Sequence, residues 1–138
     1  MKKEMLKNIV INSEIENLRV VEKEIDEISA DLGLSADNYG KIMVSAMEAV
    51  NNAIIHGNKS DSSKKVIIEI RHSGKKLVIS VEDEGPGFKP SEIPDPTKPE
   101  NIEKFTGRGV FLMSRLADNI EFNERGNKVT MSFKDLKT

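Results

Sequence analysis

The hydrophobic period changes along this chain, and that change limits the folds open to it. Ile15, Leu18, Val21, Ile25, Ile28 and Leu32 recur at three- and four-residue steps, which is one buried face of a helix. Ser13, with Glu16 three residues on, reads as a capping box at its start. Gly33 followed by Leu34 fits a glycine-terminated end with its hydrophobic contact, and Ser35 caps a second helix. After a polar turn at 58–63 the period becomes two. Val66, Ile68 and Ile70 alternate, Ser73-Gly74 turns the chain, and Leu77, Ile79 and Val81 alternate again, so an antiparallel hairpin is expected. A short strand at 8–11, a third helix at about 109–117 and two closing strands complete the reading. Those strands span 119–123 and 128–133 and turn at Arg125-Gly126-Asn127. Helices grouped on one face of a mixed, mostly antiparallel sheet make an α+β fold, a two-layer α/β sandwich.

The 138 residues form one domain, 1–138, long enough for a real core. A net charge of -2 leaves no electrostatic footprint for nucleic acid or an anionic membrane, so neither is expected as a direct partner. There is no cysteine, which excludes disulfides and thiolate chemistry. Two histidines, His56 and His72, are too few for a zinc site. No apolar run reaches the length of a membrane span, and Met1-Lys2-Lys3-Glu4 lacks the apolar core of a signal peptide. A cytoplasmic protein is expected.

The second helix carries the stretch Glu48-Ala49-Val50-Asn51-Asn52-Ala53-Ile54-Ile55-His56-Gly57. On a helical wheel Ile42, Ala46, Ala49, Val50 and Ala53 form an apolar stripe. Lys41, Ser45, Glu48, Asn52 and His56 lie opposite, flanked by Val44, Met47 and Ile55. Such a polar face is either solvated or a site. Glu48 and Asn52 stack one turn apart. A carboxylate there can take a proton, and a neutral amide oxygen can ligate Mg²⁺. Gly57 reads as a left-handed residue that stops the helix.

Asp83 continues the inward row of Leu77, Ile79 and Val81, where a carboxylate needs a donor. Gly85 and Gly87 after it leave room for something flat, and an adenine with its exocyclic amine suits the place. The same Asp is also what a turn at a strand end uses. Gly107-Arg108-Gly109 opens the third helix, where bare amides and the helix dipole hold phosphate, or where two glycines merely hinge a loop. Between these clusters, 84–106 holds all five prolines and no period, as a lid or a disordered loop would.

Taken in order, Glu-x-x-x-Asn on a helix, Asp-x-Gly-x-Gly after a strand, a proline-rich lid, Gly-x-Gly at a helix start and a closing hairpin resemble the Bergerat-fold (GHKL) ATPases. The resemblance covers nearly the whole chain. Within that superfamily it is nearest to the small bacterial anti-sigma factors that are also serine kinases. A histidine kinase needs a phosphoacceptor helix hairpin and a topoisomerase a transducing domain, and neither fits in 138 residues.

The resemblance implies ATP and Mg²⁺, with Glu48 as the base that activates the attacking hydroxyl and Asn52 as the metal ligand. It implies Asp83 on the adenine amine, Gly85 and Gly87 beside the base, and Gly107 and Gly109 on phosphates. Arg108 would reach the terminal phosphate or the partner. The family often has Gly-Thr at the final hairpin to support the adenine-binding carboxylate. Here the pair is Gly126-Asn127, with Thr130 three residues on, so Asn127 and Thr130 are the candidates for that role. The implied partners are an anti-sigma-factor antagonist of STAS type, whose serine is phosphorylated, and an RNA polymerase sigma factor. A homodimer is expected from the family. The competing reading is a nucleotide-gated binding module without kinase activity.

Overall fold

A computed structural model describes residues 5–86 and 107–137, and of Met5 and 107–111 the backbone only. The order is β1 (Met5–Asn12), a 3₁₀ turn (Ile15–Asn17), α1 (Leu18–Leu32), α2 (Ala36–Asn52), a π-helical turn (Ala53–Gly57), β2 (Lys65–Ser73) and β3 (Lys76–Glu82). Then follow α3 (Gly107–Leu116), β4 (Asn119–Phe122) and β5 (Lys128–Phe133). The expected lid falls mostly at 87–106, outside the described residues.

The five strands run β1-β2-β3-β5-β4, and every neighbouring pair is antiparallel. Alternation decides the two faces. Ile9 pairs Ile68, which pairs Val81, which pairs Val129. With Ile11, Val66, Ile70, Leu77, Ile79, Met131 and Phe133 these make the inner face, all buried. Val21, Ile25 and Ile28 of α1 and Ile42, Ala46, Ala49 and Val50 of α2 close over it as one core. Leu6, Val10 and Ile67 point to the other face and are exposed. This is the two-layer α+β sandwich. Among the described residues, no helix is long and apolar enough to cross a membrane.

The helix signals divide into those the structure keeps and those it reuses. Gly33 takes φ 66°, and the Leu34 amide donates to the Ser29 carbonyl at 3.1 Å, so α1 ends as expected. Ser35 caps α2 by accepting from the Asn38 amide at 3.1 Å. Ser13 caps nothing. Its hydroxyl is buried and donates to the Lys64 carbonyl at 2.8 Å, while Ile15 stays exposed and α1 begins only at Leu18. The hairpin turn is Gly74-Lys75, since Ser73 still pairs Lys76.

On α2 the expected apolar stripe is buried, and the opposite side is less open than the wheel implies. Ser45 is fully buried, and among the described residues its hydroxyl has no hydrogen-bond partner. α2 packs against α3 as well as α1, so more of its circumference is covered than on a helix that rests on a sheet alone. Val44 and Ile55 are the exposed apolar side chains of this segment.

Candidate functional site

The helical stretch and the end of β3 meet at a cavity of about 180 Å³. Ala49, Asn52, Ala53, His56 and Gly57 line it from α2 and its π turn, and Val81, Asp83 and Pro86 from β3 and beyond. Met113 of α3 is buried against it, and the final hairpin contributes Phe122 and 126–129. Asn52 and Asp83, thirty-one positions apart in the chain, therefore share one wall-to-wall space. Glu48 is half-buried one turn before Asn52 and is not part of the lining.

Gly57 is not a left-handed terminator. The positive-φ residues after the helix are Lys59 and Ser60, and the helix runs on through the π turn to Gly57 itself. A Cβ on Gly57 would lie 2.2 Å from Asp83 Oδ2, and one on Gly85 would lie 2.1 Å from the Gly57 carbonyl oxygen. Both glycines are therefore required by the protein's own close packing. The room at Gly85 is taken by Gly57, not left for a ligand. The wider π turn brings the chain down onto the carboxylate.

Asp83 is half-buried where β3 ends, and loss of solvent raises its pKa above the ordinary carboxylate value. The Gly85 amide donates to Oδ1 at 2.8 Å and, with the Arg125 charge, opposes that rise. Among the described residues no donor reaches Oδ2. Arg125 also donates to the Gly85 carbonyl at 3.1 Å, which ties the loop to the final hairpin.

Asn127 sits on the backbone of Asp83, not on its carboxylate. Its side-chain amide donates to the Asp83 carbonyl at 2.8 Å, and its own carbonyl accepts from the Asp83 amide at 2.9 Å. Asn123 holds it in place, donating to Asn127 Oδ1 at 2.8 Å and accepting from the amides of 126, 127 and 128. Thr130 is not brought to the cavity. It pairs Ser80 and Glu121 on the outer face, since Val129 and Met131 take the inner one.

Gly107 and Gly109 lie in the first turn of α3, two positions earlier than the expected start, and this helix reaches the cavity through Met113. The Arg108 side chain and Gly87 lie outside what is described.

Asn58, like Asn123, supports the site and carries no sequence pattern that singles it out. It is 1% exposed. Its Nδ2 donates to Ser13 Oγ at 2.8 Å and to the Lys65 carbonyl at 2.9 Å, and its Oδ1 accepts from the Glu84 amide at 2.8 Å. One amide group thus joins the end of β1, the start of β2 and the loop that carries Asp83. Asn58 directly follows Gly57, inside a stretch that reads as a polar turn. Asn58→Ala is expected to cost about 1–3 kcal/mol, because it leaves buried groups unpaired. Urea denaturation checks this, and an unchanged midpoint would remove Asn58 from the account.

The architecture is the Bergerat fold of nucleotide-binding ATPases. Residues 11–133 match the family described as Histidine kinase-like ATPase domain, and the chain belongs to that family. It is 34% identical over 119 residues to an anti-sigma F factor of Clostridium perfringens, covering 83% of this chain and 84% of that one. It is 24% identical to the serine-protein kinase RsbW of Bacillus subtilis, over 85% of this chain and 78% of that one. The crystal structure of the RsbU and RsbW domains of a Mycobacterium tuberculosis protein superposes with a TM-score of 0.69 at 18% identity. That match takes in 94% of this chain and 32% of the longer one, and it is a likeness of fold.

Proposed function

We propose that this protein is an anti-sigma regulator that binds ATP with Mg²⁺ and phosphorylates a serine of a STAS-type anti-sigma-factor antagonist. The observation that carries the reading is that Asn52 and Asp83 line one cavity with Glu48 one turn away. In this reading Asp83 Oδ2 accepts the adenine amine, with the Gly85 amide and Asn127 fixing the carboxylate and its backbone. The cavity is smaller than the ~300–1,000 Å³ of most ligand pockets, which suits a purine whose phosphates extend beyond it. Gly107 and Gly109 then offer amides at the α3 start to those phosphates, with Arg108 supplying a positive charge.

Among the described residues no three His, Cys, Asp or Glu side chains gather as a metal cage. A lone amide oxygen on Asn52 is the donor that Mg²⁺ accepts when phosphate oxygens and water fill its other positions. The bound ion would neutralise charge on the terminal phosphates. The serine Oγ attacks the γ-phosphorus, the bond to the β,γ-bridging oxygen breaks, ADP leaves, and the hydroxyl proton passes to Glu48. A sigma factor as second partner, a homodimer and a cytoplasmic location belong to the same proposal.

Glu48 standing outside the cavity lining favours the second reading, in which ATP selects the partner and no phosphate moves. Intact-mass measurement of the antagonist after incubation with Mg-ATP separates them. One phosphoryl group added to a serine is expected. An unmodified antagonist, with ATP-dependent sigma-factor binding, would establish the module instead.

A further inference from the structure

The outward side of α2 and the π turn that continues it is a ridge of Val44, Glu48, Asn51 and Ile55, at steps of four, three and four. Val44 is 42% exposed and Ile55 38%, while Glu48 and Asn51 are half-buried. Ala49, Asn52 and His56, farther round the same segment, line the cavity. Glu48 lies about 40° round the helix from both Val44 and Asn52, so it marks the border between ridge and cavity.

We propose that this ridge is the docking surface for the protein whose serine is phosphorylated. The inference rests on the kinase reading above. Nucleotide held on the Asn52 side leaves the ridge side as the approach to Glu48, so whatever brings the hydroxyl must cover Val44 and Ile55. The two exposed apolar side chains stand about 16 Å apart along the axis. A small hydroxyl compound does not cover both at that distance. An apolar pair so spaced along a helix is buried by an apolar patch on a folded protein, with Asn51 as a hydrogen-bonding group between them. The occupant is therefore a protein that presents its serine beside an apolar patch, and the ridge selects it.

The test substitutes Val44→Glu and Ile55→Glu, with Ile67→Glu on the far face of the sheet as the control for added charge. Both ridge variants are expected to raise KM for the antagonist by at least about tenfold. ATP affinity, melting temperature and the saturating rate are expected to stay near wild type, because the side chains are exposed. An unchanged KM in both overturns the proposal. So does an equal rise in Ile67→Glu, or a loss of ATP affinity without a change in KM, which would give the ridge to this chain's own nucleotide site. If the wild-type protein transfers no phosphate, the kinase reading fails separately. Calorimetric affinity of the ATP-loaded protein for the antagonist then decides: loss in the ridge variants upholds the docking surface, and unchanged affinity ends it.

Discussion

Glu48→Ala is expected to slow phosphoryl transfer by about 10²–10⁴-fold, the contribution of a positioned proton acceptor. ATP affinity should hardly change, because Glu48 is not part of the cavity lining. Nor should the fold suffer. The position is half-buried in the middle of α2, and alanine is the best helix former. Rate and binding are therefore separable here, and initial rates beside an ATP titration measure both. A loss of rate with intact affinity is the expected signature. A full rate would move the proton elsewhere, since phosphoryl transfer can run largely on positioning and charge.

Asp83→Ala should lower ATP affinity about ten- to a hundredfold, the worth of a hydrogen bond to a charged acceptor. The same carboxylate works against the unliganded fold. Burial raises its pKa above 3.8, so between that value and the raised one the native state binds more protons than the unfolded state. Stability then falls as pH rises through this window and is lowest for this group where it is fully ionised. Asp83→Asn keeps an acceptor for the Gly85 amide and removes the charge. At neutral pH it should melt higher than wild type without nucleotide, and its melting temperature should lose this acid-side rise. A lower melting temperature would mean that attraction to Arg125 outweighs the cost of burial. In wild type, ATP binding should weaken on acidification through that window, since a protonated carboxyl gives up its charge and much of its acceptor strength. Nucleotide binding as proposed and stability of the empty protein would thus oppose each other at this position.

What the sequence disclosed were features written over a few residues. The alternation in β2 and β3, the Gly33 end and the Ser35 cap are local, and each appears where its pattern predicts. Ser13 was opaque because its hydroxyl is claimed by Lys64, fifty-one positions away, and that long-range bond displaces the capping box. Gly57 departs from its sequence expectation for a related reason. A terminating glycine and a glycine forced by a distant carboxylate look alike until the carboxylate is placed. Ser45 falls on the polar side of the wheel yet is buried, because a wheel takes no account of the packing of α3 on α2. Thr130 faces outward by alternation alone, since Val129, Met131 and Phe133 take the inner face. Of the site, Asn52 and Asp83 were legible as residue types at meaningful spacings. The Asn58, Asn123 and Arg125 scaffold beneath them was not, because side-chain amides and guanidinium groups in turns carry no period.

The single amide of Asn58 has a wider effect than its size suggests. It joins the Ser13 hydroxyl, at the exit of edge strand β1, to the Lys65 carbonyl at the start of β2 and to the Glu84 amide in the loop that follows Asp83. A local opening that frees one end must release the other, so the two segments open as one cooperative unit. Occupancy of the cavity beside Asp83 is then expected to appear as slower amide exchange at the β1 edge of the sheet.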